Sequence, residues 1–177
     1  MTNAGFTFDP ARCIKCWACE IACKQWNGIP ASASARRRVF ELVEGSYPNV
    51  KRTFISQGCL HCDDAQCVRV CPTGAVHVRA EDGAVVVDKD KCIGCRHCHN
   101  ACPYGIPQFV DGVMDKCDLC THAEASLSQE PGMPHCVASC PTKALRFEED
   151  DEGRRAYADL MDQVMHRIAE DPDALVW

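Results

Sequence analysis

Sixteen cysteines, grouped in four short runs, constrain this 177-residue chain more than any other feature. In the first and third runs the cysteines are separated by two, two and three residues. The second run has separations of two, four and three residues, and the fourth has two, fifteen and three. All but the first run end in Cys-Pro. These runs, called motifs one to four, are Cys13-Cys16-Cys19-Cys23, Cys59-Cys62-Cys67-Cys71, Cys92-Cys95-Cys98-Cys102 and Cys117-Cys120-Cys136-Cys140.

The spacing of these cysteines predicts metal clusters. Disulfide geometry disfavours bridges between cysteines packed this closely, and repeated Cys-x-x-Cys units indicate metal or redox chemistry. Separations of two, two and three residues followed by proline are the bacterial ferredoxin pattern. We therefore expect four 4Fe-4S clusters, with every cysteine a ligand. The alternative from another class is a structural zinc protein with four-cysteine sites, which would be colourless.

The segment that connects motifs two and three predicts how the motifs pair. Residues 75–88 contain two β-rich stretches joined by Asp82-Gly83, which indicates a hairpin. Motifs two and three then share one domain, and motifs one and four share the other. In the ferredoxin pattern the fourth cysteine serves the other cluster of a pair. The expected ligand sets are cluster A, Cys13, Cys16, Cys19 and Cys140; cluster B, Cys117, Cys120, Cys136 and Cys23; cluster C, Cys59, Cys62, Cys67 and Cys102; and cluster D, Cys92, Cys95, Cys98 and Cys71.

This pairing predicts an α+β fold with two tandem ferredoxin domains, one inserted in the other. Residues 1–26 and 110–150 form the outer domain, in which residues 6–8 and 145–147 could pair as strands. Residues 58–109 form the inserted domain. Residues 27–57 form a hairpin insertion, with strands at 39–43 and 50–55 and a turn at 45–49. Residues 151–177 form a helical extension, whose helical spacing over 152–170 leaves one apolar face for its own body or for a partner.

Two charge features concern partners. The net charge of −6 excludes a nucleic-acid-binding face, and four thiolate-bound clusters would bring the net charge to roughly −14. The Arg run at residues 36–38 either docks on an acidic patch of a partner or is a solvated loop end. Cations beside ligand cysteines could balance the clusters locally: Lys15, Lys24, Lys91, Arg96, Lys116 and Lys143.

Histidines also lie within the motifs, at His61, His97 and His99. Because four thiolates already complete each cluster, we expect these side chains to tune potentials rather than to bind iron.

Residues 92–105 resemble the electron-transfer (B) subunit of the dimethyl sulfoxide reductase family of molybdopterin oxidoreductases. Residues 116–120 and 136–141 are similar too, and the resemblance spans roughly residues 6–150. It implies a dicluster-ferredoxin architecture, the pairing of motif one with four and two with three, and a large molybdopterin-containing catalytic partner. A membrane anchor subunit that exchanges electrons with quinone is a possible second partner. The resemblance does not specify the substrate.

The expected function is therefore electron transfer by a non-catalytic subunit. No catalytic constellation, glycine-rich nucleotide motif or spare cysteine is visible in the sequence. The alternative is an electron carrier for a hydrogenase or carbon monoxide dehydrogenase. No apolar run reaches the ~20 residues that cross a bilayer, and the N-terminus does not read as a signal peptide. We expect a soluble subunit peripheral to the cytoplasmic membrane, either cytoplasmic or exported folded with a partner that carries a twin-arginine signal.

Overall fold

A computed structural model describes residues 5–120 and 133–176. Residues 1–4, residues 121–132 in the long spacer of motif four, and Trp177 lie outside the described residues, together with those parts of the predicted domains. Within the described ranges the strands are β1 Gly5–Phe8, β2 Arg37–Ser46, β3 Asn49–Gly58, β4 Val76–Val78, β5 Val85–Val87, β6 Gln108–Val110, β7 Val113–Asp115, β8 Leu145–Glu148 and β9 Leu175–Val176. The α-helices are α1 Ala18–Trp26, α2 Gln66–Arg69, α3 His97–Ala101, α4 His135–Ala138 and α5 Asp151–Glu170, with 3₁₀ turns at Pro10–Arg12 and Pro172–Ala174.

The strands form small antiparallel sheets, and two of these pairings are the predicted ones. Strand β1 pairs with β8 in the register Phe6↔Phe147 and Phe8↔Leu145, which confirms the pairing between the two ends of the cysteine region. Strands β4 and β5 pair across the Asp82-Gly83 turn, which confirms the hairpin between motifs two and three. Strands β6 and β7 form a further hairpin just before motif four.

The long hairpin of β2 and β3 differs from its prediction. Its strands continue to the pair Ser46↔Asn49, so only Tyr47 and Pro48 remain in the turn, where five residues were expected. Gly45 takes a left-handed φ of 81° within strand β2. A short third strand, β9, adds to the other edge of β2 through the pairs Glu41↔Val176 and Leu42↔Leu175.

The predicted C-terminal helix is confirmed, and it packs on the body of the protein. Asp150 caps α5 by accepting a hydrogen bond from the Gly153 amide at 3.0 Å. The helix buries Tyr157, Met161 and Val164, whose spacing of four and three residues keeps them on one face. Strand β1 is the main element against which α5 packs. None of the helices in the described ranges is long and apolar enough to cross a membrane.

Two hydrophobic cores hold these elements together. The larger core joins both chain ends to the long hairpin and includes Phe6, Phe40, Ile55, Leu145 and Tyr157. The smaller core surrounds the β4–β5 hairpin and is formed by Ala65, Val76, Val85, Cys98 and Met114. Cysteines of the four motifs are members of both cores, so the packing of each core and the placement of its thiols depend on the same contacts.

Candidate iron–sulfur cluster sites

The loops that carry the first two cysteines of each motif share one backbone feature. The residue before the second cysteine is left-handed in all four motifs, with φ of 52° at Lys15, 50° at His61, 67° at Gly94 and 65° at Leu119. A left-handed residue in a turn directs successive amide N–H groups into one concavity, the arrangement that receives anions and many iron–sulfur clusters. Three of these residues are not glycine, and such strain is typical of functional sites.

Short helices carry the third cysteine of each motif and, in motif one, the fourth. In motifs one and three a second left-handed residue precedes the helix, with φ of 57° at Trp17 and 66° at Arg96. Helix α1 then holds Cys19 and Cys23 one turn apart, and α3 holds Cys98 and ends at Cys102. In motifs one and three the fourth cysteine thus lies on or just after a helix, beyond the loop that holds the first two.

One cavity is lined by three cysteines of motif one and the last cysteine of motif four, Cys13, Cys16, Cys19 and Cys140. Its other walls are largely apolar and include Phe8, Trp17, Val39 and Leu145. This set of four thiols matches the ligands expected for cluster A. A thiol-rich, apolar-walled cavity fits the donor chemistry of a 4Fe-4S cluster.

A second cavity is lined by three cysteines of motif four and the last cysteine of motif one, Cys23, Cys117, Cys120 and Cys136. Its polar wall also includes Asn27, Arg36, Arg37 and Asp118. Burial, followed by the nearby Cys117, raises the pKa of the Cys23 thiol to about 12. These four thiols are the ones expected for cluster B.

Motifs two and three are also brought together. Burial raises the pKa of the Cys62 thiol, and the nearby Cys59 and Cys102 raise it further. The pKa of Cys67 rises to about 11, chiefly through burial, and both Cys59 and Cys102 contribute again. Cys102, the fourth cysteine of motif three, therefore lies near Cys62 and Cys67 of motif two.

The remaining set is the one expected for cluster D. Cys98 lies near Cys92 and Cys95, whose charges raise its thiol pKa after the larger effect of burial. Which sulfur binds which cluster stays a prediction for all four sets.

The last cysteines of motifs two and four lie in equivalent turns of sequence Cys-Pro-Thr-x-Ala. The Thr73 hydroxyl is 3.8 Å from Cys71 Sγ, and the Thr142 hydroxyl is 3.8 Å from Cys140 Sγ. The Val76 amide donates to Cys71 Sγ at 3.4 Å. Burial raises the pKa of both thiols, but hydrogen bonds from the backbone outweigh it and leave both pKa values lowered. Hydrogen bonds of this kind also stabilise a bound thiolate.

All sixteen cysteines are free of disulfides. Within residues 5–120 and 133–176, no group of three or more His, Cys, Asp or Glu side chains is arranged to hold a single metal ion.

Comparison with known proteins decides the family. Two family models, each described as a 4Fe-4S dicluster domain, match residues 12–75 and 50–150. The B component of anaerobic dimethyl sulfoxide reductase from Escherichia coli (strain K12) is 45% identical over 169 residues, covering 90% of this chain and 80% of the relative. The protein belongs to this family of iron–sulfur subunits. Its two dicluster domains and sixteen cysteines correspond to four 4Fe-4S clusters, and the zinc alternative is therefore wrong.

Of two further relatives, one has the same named activity and one a different activity. The B component of anaerobic dimethyl sulfoxide reductase from Haemophilus influenzae is 40% identical, covering 89% of this chain and 79% of the relative. The B component of sulfite dehydrogenase from Allochromatium vinosum is 38% identical, covering 83% of this chain and 69% of the relative. The family resemblance therefore extends across oxidoreductases with different named substrates.

Within this iron–sulfur protein, a buried lysine joins the sites of motifs two and four. Lys116 is only 2% exposed. Its ammonium lies 3.5 Å from Cys59 Sγ and donates to the Cys117 carbonyl at 2.7 Å and to the Val85 carbonyl. Burial alone would raise the pKa of the Cys59 thiol, but Lys116, followed by His61, lowers it to about 5. Among the six cations proposed from sequence, Lys116 has this direct contact, whereas Lys91 is exposed and pairs with Asp88 at 2.8 Å.

His61 lies beside the same two cysteines and has a defined tautomer. Its Nδ1 accepts a hydrogen bond from the Val85 amide at 3.1 Å, so the ring proton belongs on Nε2. Nε2 is buried and has no hydrogen-bond partner in the described structure. Cys59 and Cys117 both lie close enough to His61 to shift its pKa. The unpaired Nε2–H is thus a donor available to sulfur, the tuning role expected for this residue. His99 instead contacts the Pro107 carbonyl through Nδ1 at 2.8 Å.

The arginine run is where the sequence interpretation fails. Arg36 and Arg37 are buried, so this run is neither a solvated loop end nor a surface for docking a partner. Arg36 forms two hydrogen bonds to Asp115, at 2.8 and 2.7 Å, and one to Asp118 at 3.1 Å. These carboxylates lie about eighty residues away in sequence, so no local pattern indicates the pairing.

Proposed function

We propose that this chain relays electrons through four 4Fe-4S clusters, from or to a molybdopterin-containing catalytic subunit, with a membrane anchor or another redox partner at the other end. The observation that carries the proposal is the Lys116 contact, because one ammonium group touches Cys59 of motif two and the Cys117 carbonyl of motif four. Two predicted cluster sites from different predicted domains therefore adjoin. The clusters supply one-electron redox chemistry when bound.

The two thiol cavities formed by motifs one and four are also neighbours, which supports a relay between clusters A and B. Ser56 lines the first thiol cavity, and Arg37 lines the second. These two side chains hydrogen-bond to each other at 3.3 Å. Electron tunnelling falls off steeply with distance, so neighbouring sites favour a series of short transfers. A carrier that shuttled freely from one partner to another would need only one or two clusters.

The proposal includes the ligand sets and the inserted-domain arrangement stated from the sequence. The β1–β8 pairing and the contacts between α1 and α4 support an outer domain made from both chain ends. Contacts between α2 and α3 support an inner domain that contains motifs two and three. The proposed boundaries stay at residues 1–26 with 110–150, 27–57, 58–109 and 151–177.

The proposed role is non-catalytic, and the partners are inferred from the relatives. The relatives are named as the B component of a reductase or dehydrogenase, which supports assembly with a larger redox subunit. Exposed apolar side chains beside motif one, Ile14, Trp17 and Ile21, offer a surface that such a subunit could bury. We place the assembled complex at the periphery of the cytoplasmic membrane.

Affinity purification from the native host under anaerobic conditions tests this function. We expect a large molybdenum- or tungsten-containing subunit in equal amount with the chain. The complex should reduce or oxidise its substrate with viologen dyes, whereas the isolated, cluster-loaded chain should turn over no substrate. Recovery of a nickel-containing hydrogenase subunit or a carbon monoxide dehydrogenase, or sustained turnover by the chain alone, would contradict the proposal.

A further inference from the structure

Arg37 is a buried cation with unusual surroundings. It is 2% exposed and opens strand β2, directly opposite Gly58 of β3. A Cβ added to Gly58 would lie 2.8 Å from Arg37 Nη2, so this glycine provides the space that the guanidinium occupies. On another side, the guanidinium carbon lies 4.3 Å from the centre of the Phe6 ring. The side chain is thus held in one place by the β2–β3 hairpin and β1.

The hydrogen bonds of Arg37 leave part of the guanidinium without a partner. Nη1 donates to the Ser56 carbonyl at 3.5 Å and to the Ser56 hydroxyl at 3.3 Å. Nη2 is buried and has no hydrogen-bond partner in the described parts of the chain. The adjacent Arg36, by contrast, is paired with two carboxylates. A buried guanidinium that lacks a counterion among the described residues, and also part of its hydrogen bonds, is costly, so a negative group is expected next to Nη2.

The position of Arg37 indicates which negative groups these are. Arg37 lines the cavity of Cys23, Cys117, Cys120 and Cys136. Its partner Ser56 lines the cavity of Cys13, Cys16, Cys19 and Cys140, and the Ser56 hydroxyl lies 3.4 Å from Cys19 Sγ. The guanidinium therefore lies at the boundary between the two cavities. A 4Fe-4S cluster with four thiolates carries a charge of about −2, and two such clusters would supply the missing counterions.

We propose that Arg37 is a tuning residue shared by clusters A and B, which raises the reduction potentials of both through its fixed charge. Its Nη2 is assigned as a donor to sulfur at cluster B, and Ser56 transmits the contact to Cys19 at cluster A. Reduction adds a negative charge to a cluster, and a nearby buried cation stabilises the reduced state more than the oxidised one. This inference rests on the ligand sets of the proposed function.

A redox titration of the anaerobically purified, cluster-loaded chain, followed by electron paramagnetic resonance, tests the inference. Cys16→Ser and Cys120→Ser first identify the signals of clusters A and B. In Arg37→Gln, we expect both of these midpoints to move to more negative potential, with the other two unchanged. Arg37→Lys retains the charge, so the midpoints of clusters A and B should lie much closer to those of the unsubstituted protein.

Arg38→Gln is the matched control, because it removes the same charge from the next residue. Arg38 points to the other side of the strand and donates to the Gly105 carbonyl at 3.0 Å. Its substitution should leave the midpoints of clusters A and B unchanged. If Arg37→Gln does not load with clusters, Arg37→Lys is titrated alone, and a smaller negative shift confined to clusters A and B is expected.

Unchanged midpoints in Arg37→Gln, an equal shift of all four midpoints, or a shift of only one cluster would overturn the inference, as would unchanged midpoints in Arg37→Lys where that variant is titrated alone. Failure of the ligand sets would appear separately. In that case Cys140→Ser would alter the same signal as Cys120→Ser instead of the signal that Cys16→Ser alters, whatever the Arg37 variants do.

Discussion

At the scale of single residues, the proposed sharing of clusters between motifs depends on the fourth cysteine of each motif. Cys102 ends α3, and its thiolate charge reaches both Cys62 and Cys67 of motif two. Cys140 lines a cavity with the first three cysteines of motif one. Both observations agree with a fourth cysteine that binds the cluster of the paired motif instead of the cluster of its own motif, as in two-cluster ferredoxins.

Cys102→Ser tests this exchange. We expect the substitution to damage cluster C, leaving a three-iron form or no cluster, and to spare cluster D. Cys95→Ser is the control from the same motif, and it should damage cluster D and spare cluster C. Electron paramagnetic resonance of both variants distinguishes the two signals. Coordinates of the loaded protein with Cys102 on the same cubane as Cys92, Cys95 and Cys98 would contradict the whole pairing scheme.

Lys116 provides a second residue-scale prediction. Two unit charges about 4 Å apart interact by roughly 4 kcal/mol at an effective dielectric constant of about 20. That energy exceeds the roughly 1.4 kcal/mol that corresponds to about 59 mV for one electron. Lys116→Met should therefore lower the midpoint of cluster C by at least about 60 mV in a redox titration.

Lys91→Met is the matched control for Lys116. Lys91 is also adjacent to a ligand cysteine, but its side chain is 63% exposed and its charge is screened by water. We expect the cluster midpoints of Lys91→Met to equal those of the unsubstituted protein within the error of the titration. Equal shifts in the two variants would mean that the buried contact to Cys59 has no special effect.

At the scale of elements, the four cysteine loops adopt the same turn with different residues. Lys15, His61 and Leu119 accept the left-handed conformation that Gly94 also takes. Positive φ alone therefore does not explain the glycine of motif three. A Cβ at Gly94 would lie 2.2 Å from the Gly112 carbonyl oxygen, a backbone atom of the β6–β7 turn. The close approach of these two loops is what requires glycine at this position.

Gly94→Ala tests that close approach. We expect it to destabilise the loaded protein by roughly 2–5 kcal/mol, because backbone strain and a steric clash add. Gly105→Ala is the control, since Gly105 has a similar φ of 59° with open space around it, and it should cost only about 1–2 kcal/mol. The urea concentration at half loss of cluster absorbance measures both. Similar midpoints for the two variants would show that Gly112 does not constrain the loop.

The predictability of elements follows from the range of the interactions that form them. The β4–β5 hairpin and helix α5 were predicted because a turn dipeptide and an apolar face are local signals. The burial of Arg36 and Arg37 was not predicted, because it depends on Asp115, Asp118 and cysteines that are distant in sequence. The sequence rule that arginine is solvated fails where folding supplies the counterions.

The cysteine sites were more predictable than the groups around them. The shape of a cluster sets the spacing of its cysteines, and that spacing is a local pattern that can be recognised within each motif. Strand β9 has only two residues and pairs with β2 across more than 130 positions of sequence. No local pattern therefore indicates that this strand exists. The roles of Lys116 and His61 likewise depend on contacts with another motif.

At the scale of the whole molecule, the chain combines a net charge of −6 with four clusters that add about two negative charges each. Buried cations offset part of this charge at the boundaries between sites, with Arg37 between clusters A and B and Lys116 between clusters B and C. Both of these balancing charges are thus internal. Complete loading of all four sites is the condition on which this account depends.

Iron and acid-labile sulfide counted on the same anaerobically purified sample test the central claim most directly. Four complete motifs predict about sixteen iron atoms and about sixteen sulfide ions per chain. Visible absorbance recorded on that sample confirms that the iron is in clusters. A count near twelve in fully loaded material would mean that one of the four sites does not hold a 4Fe-4S cluster, and would contradict the account.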